Sequence, residues 1–272
     1  MPEIITDEKE DMKLKLLIES GLIVLLNRLF KQIGRDYSAV YSVTGQVLDA
    51  NIYNPELVGI LRPAYRKGGK NTGKELRTNA DIIYPQGDKQ EVANKIDVNL
   101  ANFTEQESVE RSNFISQTTN KKLNSWTLQA IVGAVLAGET VTNDEIAKRV
   151  SEKFNQQIPG RTNNIATTET LNAVEGARLI EANTLIEEEA EIVPKEEQEP
   201  ESLFKKLMRM WQSRKDDRVR DTHIIADGQT VQGTTEPFKV GDSLLMYPGD
   251  TSLGADMSEI IGCRCYAATF IN

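Results

Sequence analysis

The residues best suited to chemistry lie close together in the C-terminal part of this chain. They are its single histidine, His223, and its only two cysteines, Cys263 and Cys265. Side chains two positions apart point to the same face of an extended segment, so both sulfurs can reach one metal ion. Thiolates and imidazole nitrogens are common zinc ligands. The three residues therefore predict a metal site, with Asp227 or Asp250 as a fourth ligand.

The same residues have other interpretations. No Cys-x2-Cys pair or second histidine completes a standard zinc motif, so the cysteines and His223 can instead be buried core residues. A disulfide within Cys-x-Cys would be strained. An enzymatic interpretation makes His223 a general base oriented by Asp227, with Cys263 as the nucleophile. Because Asp227-Gly228 and Pro248-Gly249-Asp250 are equally turn signals, we assign no catalytic residue and expect no enzymatic activity.

Composition and charge argue against several classes of protein. Two cysteines in a Cys-x-Cys arrangement do not suit a secreted disulfide scaffold and favour synthesis in a reducing cytoplasm. The acidic start of the chain, through Glu3, does not resemble a signal peptide. The most apolar stretch, residues 14–30, is too short and too polar to span a bilayer. A net charge of -9 argues against a general nucleic-acid binder.

Hydrophobic periodicity predicts that a series of helices precedes these residues. Apolar side chains recur at helical spacing over residues 14–33, with Gly34 as the predicted stop. This helix is either part of a core or a docking surface for a partner. Capping pairs predict helix starts at Asp88, Thr104 and Thr142, because a glutamate follows each of them three positions later. Further helices are predicted over residues 55–65, 123–137 (ended by Gly138) and 161–189.

The distribution of glutamate predicts a domain boundary. Residues 191–202 are rich in glutamate and contain two prolines, which favours an acidic, solvated linker. We therefore expect a helical attachment region over residues 1–190 and a separate domain over residues 203–272. The predicted fold class is α+β, with an elongated, mainly α-helical N-terminal region followed by a small mixed α/β C-terminal domain. Within that domain we expect a short helix over residues 203–212 and strands over residues 243–247 and 266–271.

A string of residues in the C-terminal domain resembles the signature of the phage Mu F-like proteins, the minor head or head-morphogenesis proteins of tailed bacteriophages. Its members, in family order, are Trp211, Arg218, Arg220, His223, Asp227, Gly228, Phe238, Pro248, Gly249, Asp250, Cys263, Arg264 and Cys265. Upstream, residues 166–169 with Asn172 and Ala173 resemble the family's Ala-Arg-Thr-Glu helix start. Thr167 stands where the family has an arginine, and Gly262 where an asparagine is common.

The resemblance implies a structural role at the portal vertex, in head morphogenesis and genome packaging or delivery. It implies the portal protein as a partner, together with further copies of the chain and the major capsid or scaffold protein. The implied location is the virion head, after synthesis in the bacterial host cytoplasm, and no membrane partner is expected. Zinc is the one candidate cofactor. Two rival functions stay open: a metal- or cysteine-dependent enzyme or toxin-like domain carried in the virion, and a DNA-binding packaging accessory.

The DNA-binding alternative depends on a basic, glycine-rich segment. Residues 66–74 are predicted to form a loop, and the candidate contact residues are Arg62, Arg66, Lys67, Lys70 and Lys74. Glycines allow backbone amides to approach phosphates, so this segment is the candidate for contact with DNA or with an acidic portal surface. It lacks the Gly-Lys-Ser/Thr ending of a nucleotide-binding loop, and a solvated loop is the alternative interpretation.

Overall fold

Long helices dominate the N-terminal part of the chain. The computed structural model describes residues 3–4, 8–78, 89–192 and 207–271. The helices are α1 (Glu8–Thr44), α2 (Asn54–Thr78), α3 (Lys89–Leu136) and α4 (Asn143–Ile192), with a 3-10 helix (Ala50–Tyr53) before α2. The predicted mainly helical N-terminal region is thus confirmed. No helix within these ranges carries an apolar stretch long enough to cross a lipid bilayer.

The C-terminal part combines short strands with short helices, which confirms the predicted mixed domain. One antiparallel sheet has the strand order β1-β6-β2-β3, and β4 pairs with β5 in a separate hairpin. The strands are β1 (Glu3–Ile4), β2 (Leu207–Gln212), β3 (Thr230–Gln232), β4 (Phe238–Val240), β5 (Ser243–Leu245) and β6 (Tyr266–Ile271). The short helices are α5 (Asp221–Ala226) and α6 (Met257–Ile260). The strand predicted over residues 266–271 therefore has the bounds of β6.

The chain forms two compact units that do not follow the predicted boundary near residue 190. The first unit combines Met1–Glu19, Pro63–Glu105 and Thr167–Asn272, and the second combines Ser20–Arg62 and Gln106–Ala166. The C-terminal residues thus share a unit with helical segments instead of standing apart from them. Most of the predicted acidic linker, residues 193–202, lies outside the described residues.

A buried ion-pair network helps to explain why the first unit includes parts of α1 and α4. The Lys15 Nζ atom lies 2.9 Å from Asp11 Oδ2 and 2.6 Å from Glu175 Oε1, and Arg178 Nη2 lies 2.6 Å from Asp11 Oδ1. Burial alone would raise the pKa of Asp11, but the nearby charges of Lys15 and Arg178 lower it overall. The other oxygen of Glu175 accepts a hydrogen bond from the Ala267 amide of β6. Charges that are buried in this way are tolerated because they are paired.

Two predicted helix boundaries are wrong because the buried faces continue past them. α1 runs through Gly34, since Ile33 and Tyr37 on either side lie one turn apart and are both buried. Thr104 lies inside α3 and not at a helix start. The capping box at Thr142 is confirmed. The Thr142 amide donates to Glu145 Oε2 at 2.7 Å, and the Glu145 amide donates to Thr142 Oγ1 at 3.3 Å.

The basic, glycine-rich segment is helical, so the predicted loop is wrong. Residues 66–74 lie within α2, where a side chain at Gly68 would place its Cβ 2.6 Å from the Ala173 carbonyl oxygen of α4. The glycine therefore serves close helix packing, since no larger residue leaves room for that backbone. Arg66 and Lys70 are exposed one turn apart, whereas Arg62 and Lys67 are half-buried. The Lys74 side chain lies outside the described structure.

The helix predicted over residues 203–212 is also wrong over the part that the structure describes. Residues Leu207–Gln212 form β2, which lies between β3 and β6 in the sheet. Leu207, Arg209 and Trp211 alternate with half-buried residues and are almost fully buried, which is the period of a strand. The buried Arg209 guanidinium donates to the carbonyl oxygens of Gly233, Met246 and Glu236. Burial lowers the pKa of Arg209 to about 10.

Candidate metal centre

Two short elements bring the histidine and the cysteines together. His223 lies on α5, and Cys263 and Cys265 lie in the extended segment between α6 and β6. All three side chains are almost fully buried, with exposed fractions of 1–2%. Both cysteines lie just before β6, which begins at Tyr266.

The three candidate ligand atoms lie at distances that suit tetrahedral metal coordination. His223 Nδ1 is 3.3 Å from Cys265 Sγ and 3.6 Å from Cys263 Sγ, and all three atoms lie within 4.8 Å of one another. Bonds of about 2.0 Å to nitrogen and about 2.3 Å to sulfur, at the tetrahedral angle, place nitrogen and sulfur about 3.5 Å apart. The described residues therefore contain a His/Cys/Cys group that can hold a metal ion without moving its ligands far.

Glu259 fixes the orientation of the histidine ring. The His223 Nε2 atom lies 3.0 Å from Glu259 Oε2, and Thr222 Oγ1 donates to the same oxygen at 2.8 Å. A proton on Nε2 satisfies this contact and leaves the Nδ1 lone pair directed at the two sulfurs. Such a carboxylate behind a ligating histidine sets its tautomer and the orientation of its ring. Glu259 therefore completes the arrangement expected around a metal-binding histidine.

The two sulfurs share their proton unequally. A hydrogen bond with Cys265, together with burial, raises the pKa of the Cys263 thiol. The same hydrogen bond and the contact with His223 lower the pKa of Cys265 to about 5, against the opposing effect of its burial. The indole N–H of Trp211, which is buried without a well-formed hydrogen bond, adds a smaller lowering of the Cys265 pKa. Of the two sulfurs, Cys265 is therefore the one that loses its proton more easily.

Aromatic side chains pack against the His/Cys/Cys group. The Trp211 ring meets the His223 ring edge-on, with the centroids 5.4 Å apart, and meets Phe238 in the same way at 5.5 Å. Trp211, Phe238, Cys263 and Cys265 belong to one hydrophobic cluster, which also includes Leu171 of α4. Side chains packed in this way hold the ligand atoms in place at little further entropic cost.

The turn before Cys263 is held by α4 and by an arginine. The Gly262 amide donates to Thr168 Oγ1 at 2.9 Å, and Arg220 donates to the Ile261 carbonyl. Gly262 has a φ of 67°, in the left-handed region that glycine and asparagine tolerate best. This backbone requirement explains why glycine can stand where the resemblance leads one to expect asparagine. The hydrogen bond from the Gly262 amide also gives a structural function to Thr168, which lies in the upstream part of the resemblance.

The aspartates predicted as fourth ligands have other functions, so that prediction is wrong for the described residues. Asp227 Oδ1 accepts from the Ser213 amide at 2.7 Å, and its other oxygen faces Lys215. Asp250 accepts from the amides of Met246 and Ser252, both at 2.8 Å. Both carboxylates stabilise turns, which was the alternative interpretation of these positions.

The remaining charged residues of the string also make structural contacts. Arg264 forms a two-pronged salt bridge with Asp216, at 2.6 and 2.7 Å. Arg220 makes a structural contact too, because it donates to the Ile261 carbonyl. Further upstream, Asn172 donates to Tyr65 and accepts from Tyr247, which ties α4 to α2 and to the segment after β5.

The residues that support the candidate ligands do not stand out in the sequence. Glu259 and Thr222 are an ordinary glutamate and threonine with no distinctive spacing from the cysteines. The one usable signal was Asp256, which caps the short helix α6 through the Ser258 amide at 2.7 Å and thereby predicts an ordered turn beside Cys263.

Comparisons of the chain with protein-family models, with curated proteins and with solved structures returned no match.

Proposed function

We propose that this chain is a structural minor head protein of a tailed bacteriophage, acting at the portal vertex in head morphogenesis and in genome packaging or delivery. The family-like string of residues around His223 is the basis for the phage assignment. The geometry of that string favours a structural role over catalysis, as follows.

The contacts that the residues of this string make are the observation that supports a structural role. Trp211, Phe238 and the two cysteines fill one core, whereas Arg264 and Asp227 hold loops. The cavity beside the His/Cys/Cys group has a volume of only about 10 Å³, which is room for about one water molecule. Residues arranged in this way stabilise a fold and leave little space for an organic substrate there.

The metal in this proposal is zinc. Two thiolates and an imidazole are soft and borderline ligands, which zinc prefers over the oxygen-rich sites of magnesium or calcium. The nitrogen–sulfur distances of 3.3 and 3.6 Å are close to the roughly 3.5 Å expected between the ligands of a tetrahedral zinc ion. A zinc ion at this point would fasten α5 to the segment before β6, and so stabilise a domain that has only short strands.

Co-sedimentation with portal oligomers tests the head-protein role. The purified full chain is mixed with assembled portal protein of the same phage and sedimented, with the chain alone and an unrelated acidic protein of similar size as controls. The proposal predicts that the chain sediments with the portal at a fixed ratio. A chain that stays in the supernatant with portals, and is also missing from procapsids, would contradict the proposal.

A further inference from the structure

The three candidate ligands border the same small cavity. His223, Cys263 and Cys265 line it together with Arg218, Arg220 and Arg264. Because all three ligand residues face this space, it adjoins the point at which a bound metal ion would sit. Its volume of about 10 Å³ leaves room for about one donor atom beside the metal, and the cavity is partly open to solvent, so the rest of a bound ligand would lie outside it.

Three protein ligands leave a zinc ion one short of its usual four. Within the described ranges, the group that can hold a metal consists of His223, Cys263 and Cys265 alone. Glu259 is used by the other ring nitrogen, so it is an outer partner and not a fourth ligand. Zinc sites with three protein ligands keep the fourth position for water or for a ligand from outside.

The charges around the cavity favour an anion at that position. A zinc ion with two thiolates and a neutral imidazole carries no net charge. The Glu259 carboxylate lies behind His223 and does not line the cavity, whereas three arginines do. Arg220 donates to the Ile261 carbonyl, and because a carbonyl is neutral this bond fixes the guanidinium without cancelling its charge. Arg218 is exposed at the same cavity, whereas Arg264 is paired with Asp216.

We propose that the fourth coordination position of the zinc ion is exchangeable and takes a small anion, such as a carboxylate, in place of water. This inference rests on the zinc ion of the proposed function. The anion would bind the metal through one donor atom, and Arg220 would lie beside it as the compensating charge. A centre of this kind can accept an acidic group from outside the chain, which a closed four-ligand structural site cannot.

Cobalt substitution tests the inference on the full chain. The chain is loaded with Co(II), whose visible absorption reports the ligands of a tetrahedral site, and is then titrated with sodium azide as the probe anion. The inference predicts a saturable change in the visible bands. It also predicts that Arg220→Gln weakens azide binding several-fold, because the anion loses a neighbouring positive charge. Lys239→Gln, which removes an exposed charge away from the cavity, should leave azide binding unchanged.

The outcomes separate the inference from the zinc proposal. Bound cobalt with bands that azide does not change would mean a closed site, which overturns the inference and leaves the metal centre standing. A folded chain that binds no cobalt would overturn both. Equal azide affinity in the wild type and in Arg220→Gln would overturn the assignment of Arg220 as the positive charge beside the anion.

Discussion

Replacing Gly68 with alanine gives a sharp test of the packing between α2 and α4. The new Cβ would lie 2.6 Å from the Ala173 carbonyl oxygen and 2.9 Å from its carbonyl carbon. Both are backbone atoms in the middle of a long helix, so relief requires that the helices move apart. Overpacking of this kind costs about 1–3 kcal/mol, and the rigid neighbour favours the upper part of that range.

The higher helix propensity of alanine partly offsets this loss of stability. Alanine favours a helix over glycine by about 1 kcal/mol, so the expected net loss for Gly68→Ala is about 1–2 kcal/mol. Gly69→Ala is the matched control, because it makes the same change at the next position. Its Cβ would lie 3.4 Å from the nearest Leu100 atom, an ordinary contact. The control should therefore be neutral or more stable by up to about 1 kcal/mol.

Denaturant unfolding followed by circular dichroism measures the difference between the two variants. The structure predicts that Gly68→Ala unfolds at lower denaturant than the wild type, and Gly69→Ala at equal or higher denaturant. If the segment were the flexible loop that its composition suggests, the two substitutions would behave alike. Equal stability of the two variants would refute the packing of α2 against α4 at Gly68.

Three further predictions concern the candidate metal centre. Glu259→Gln should weaken zinc binding about 10–100-fold in a competition assay with a chromogenic chelator, because the outer partner of His223 loses its charge. Asp227→Ala should lower thermal stability, because the Ser213 amide loses the oxygen that accepts its hydrogen bond, but should leave zinc affinity unchanged. A large loss of affinity would restore Asp227 as a ligand. Zinc affinity should rise about tenfold per pH unit through the neutral range, measured by the same competition assay. The hydrogen bond with Cys265 and burial raise the pKa of Cys263, so this thiol must lose its proton when zinc binds. A flat profile would contradict that protonation state.

The sequence predicted which residues come together at the candidate metal centre more successfully than it predicted what surrounds them. Histidine and cysteine each have few common uses in a protein interior, so one histidine and two closely spaced cysteines limited the possibilities. Aspartate has many uses, and the Asp227 carboxylate accepts the Ser213 amide instead of a metal ion. Glu259 could not be found from the sequence, because only the packing of α6 beside α5 brings it to His223.

The errors in the fold have a common physical cause. Glycine at position 68 indicates a flexible loop when the chain is considered locally, but a close helix contact when the partner helix is known. Residues 207–212 contain large apolar side chains that suit a helix and a strand equally well. Their burial alternates with period two because β3 and β6 flank them, and this pairing comes from distant parts of the chain. Tertiary context decided both cases.

Metal analysis of the purified full chain tests the central claim most directly. The account predicts about one zinc ion per chain, lost on chelation together with part of the thermal stability and restored by added zinc. Cys263→Ser with Cys265→Ser should abolish the binding, whereas Asp227→Ala should retain it. A folded wild-type chain that contains no metal, and takes up none when zinc is added, would contradict the account.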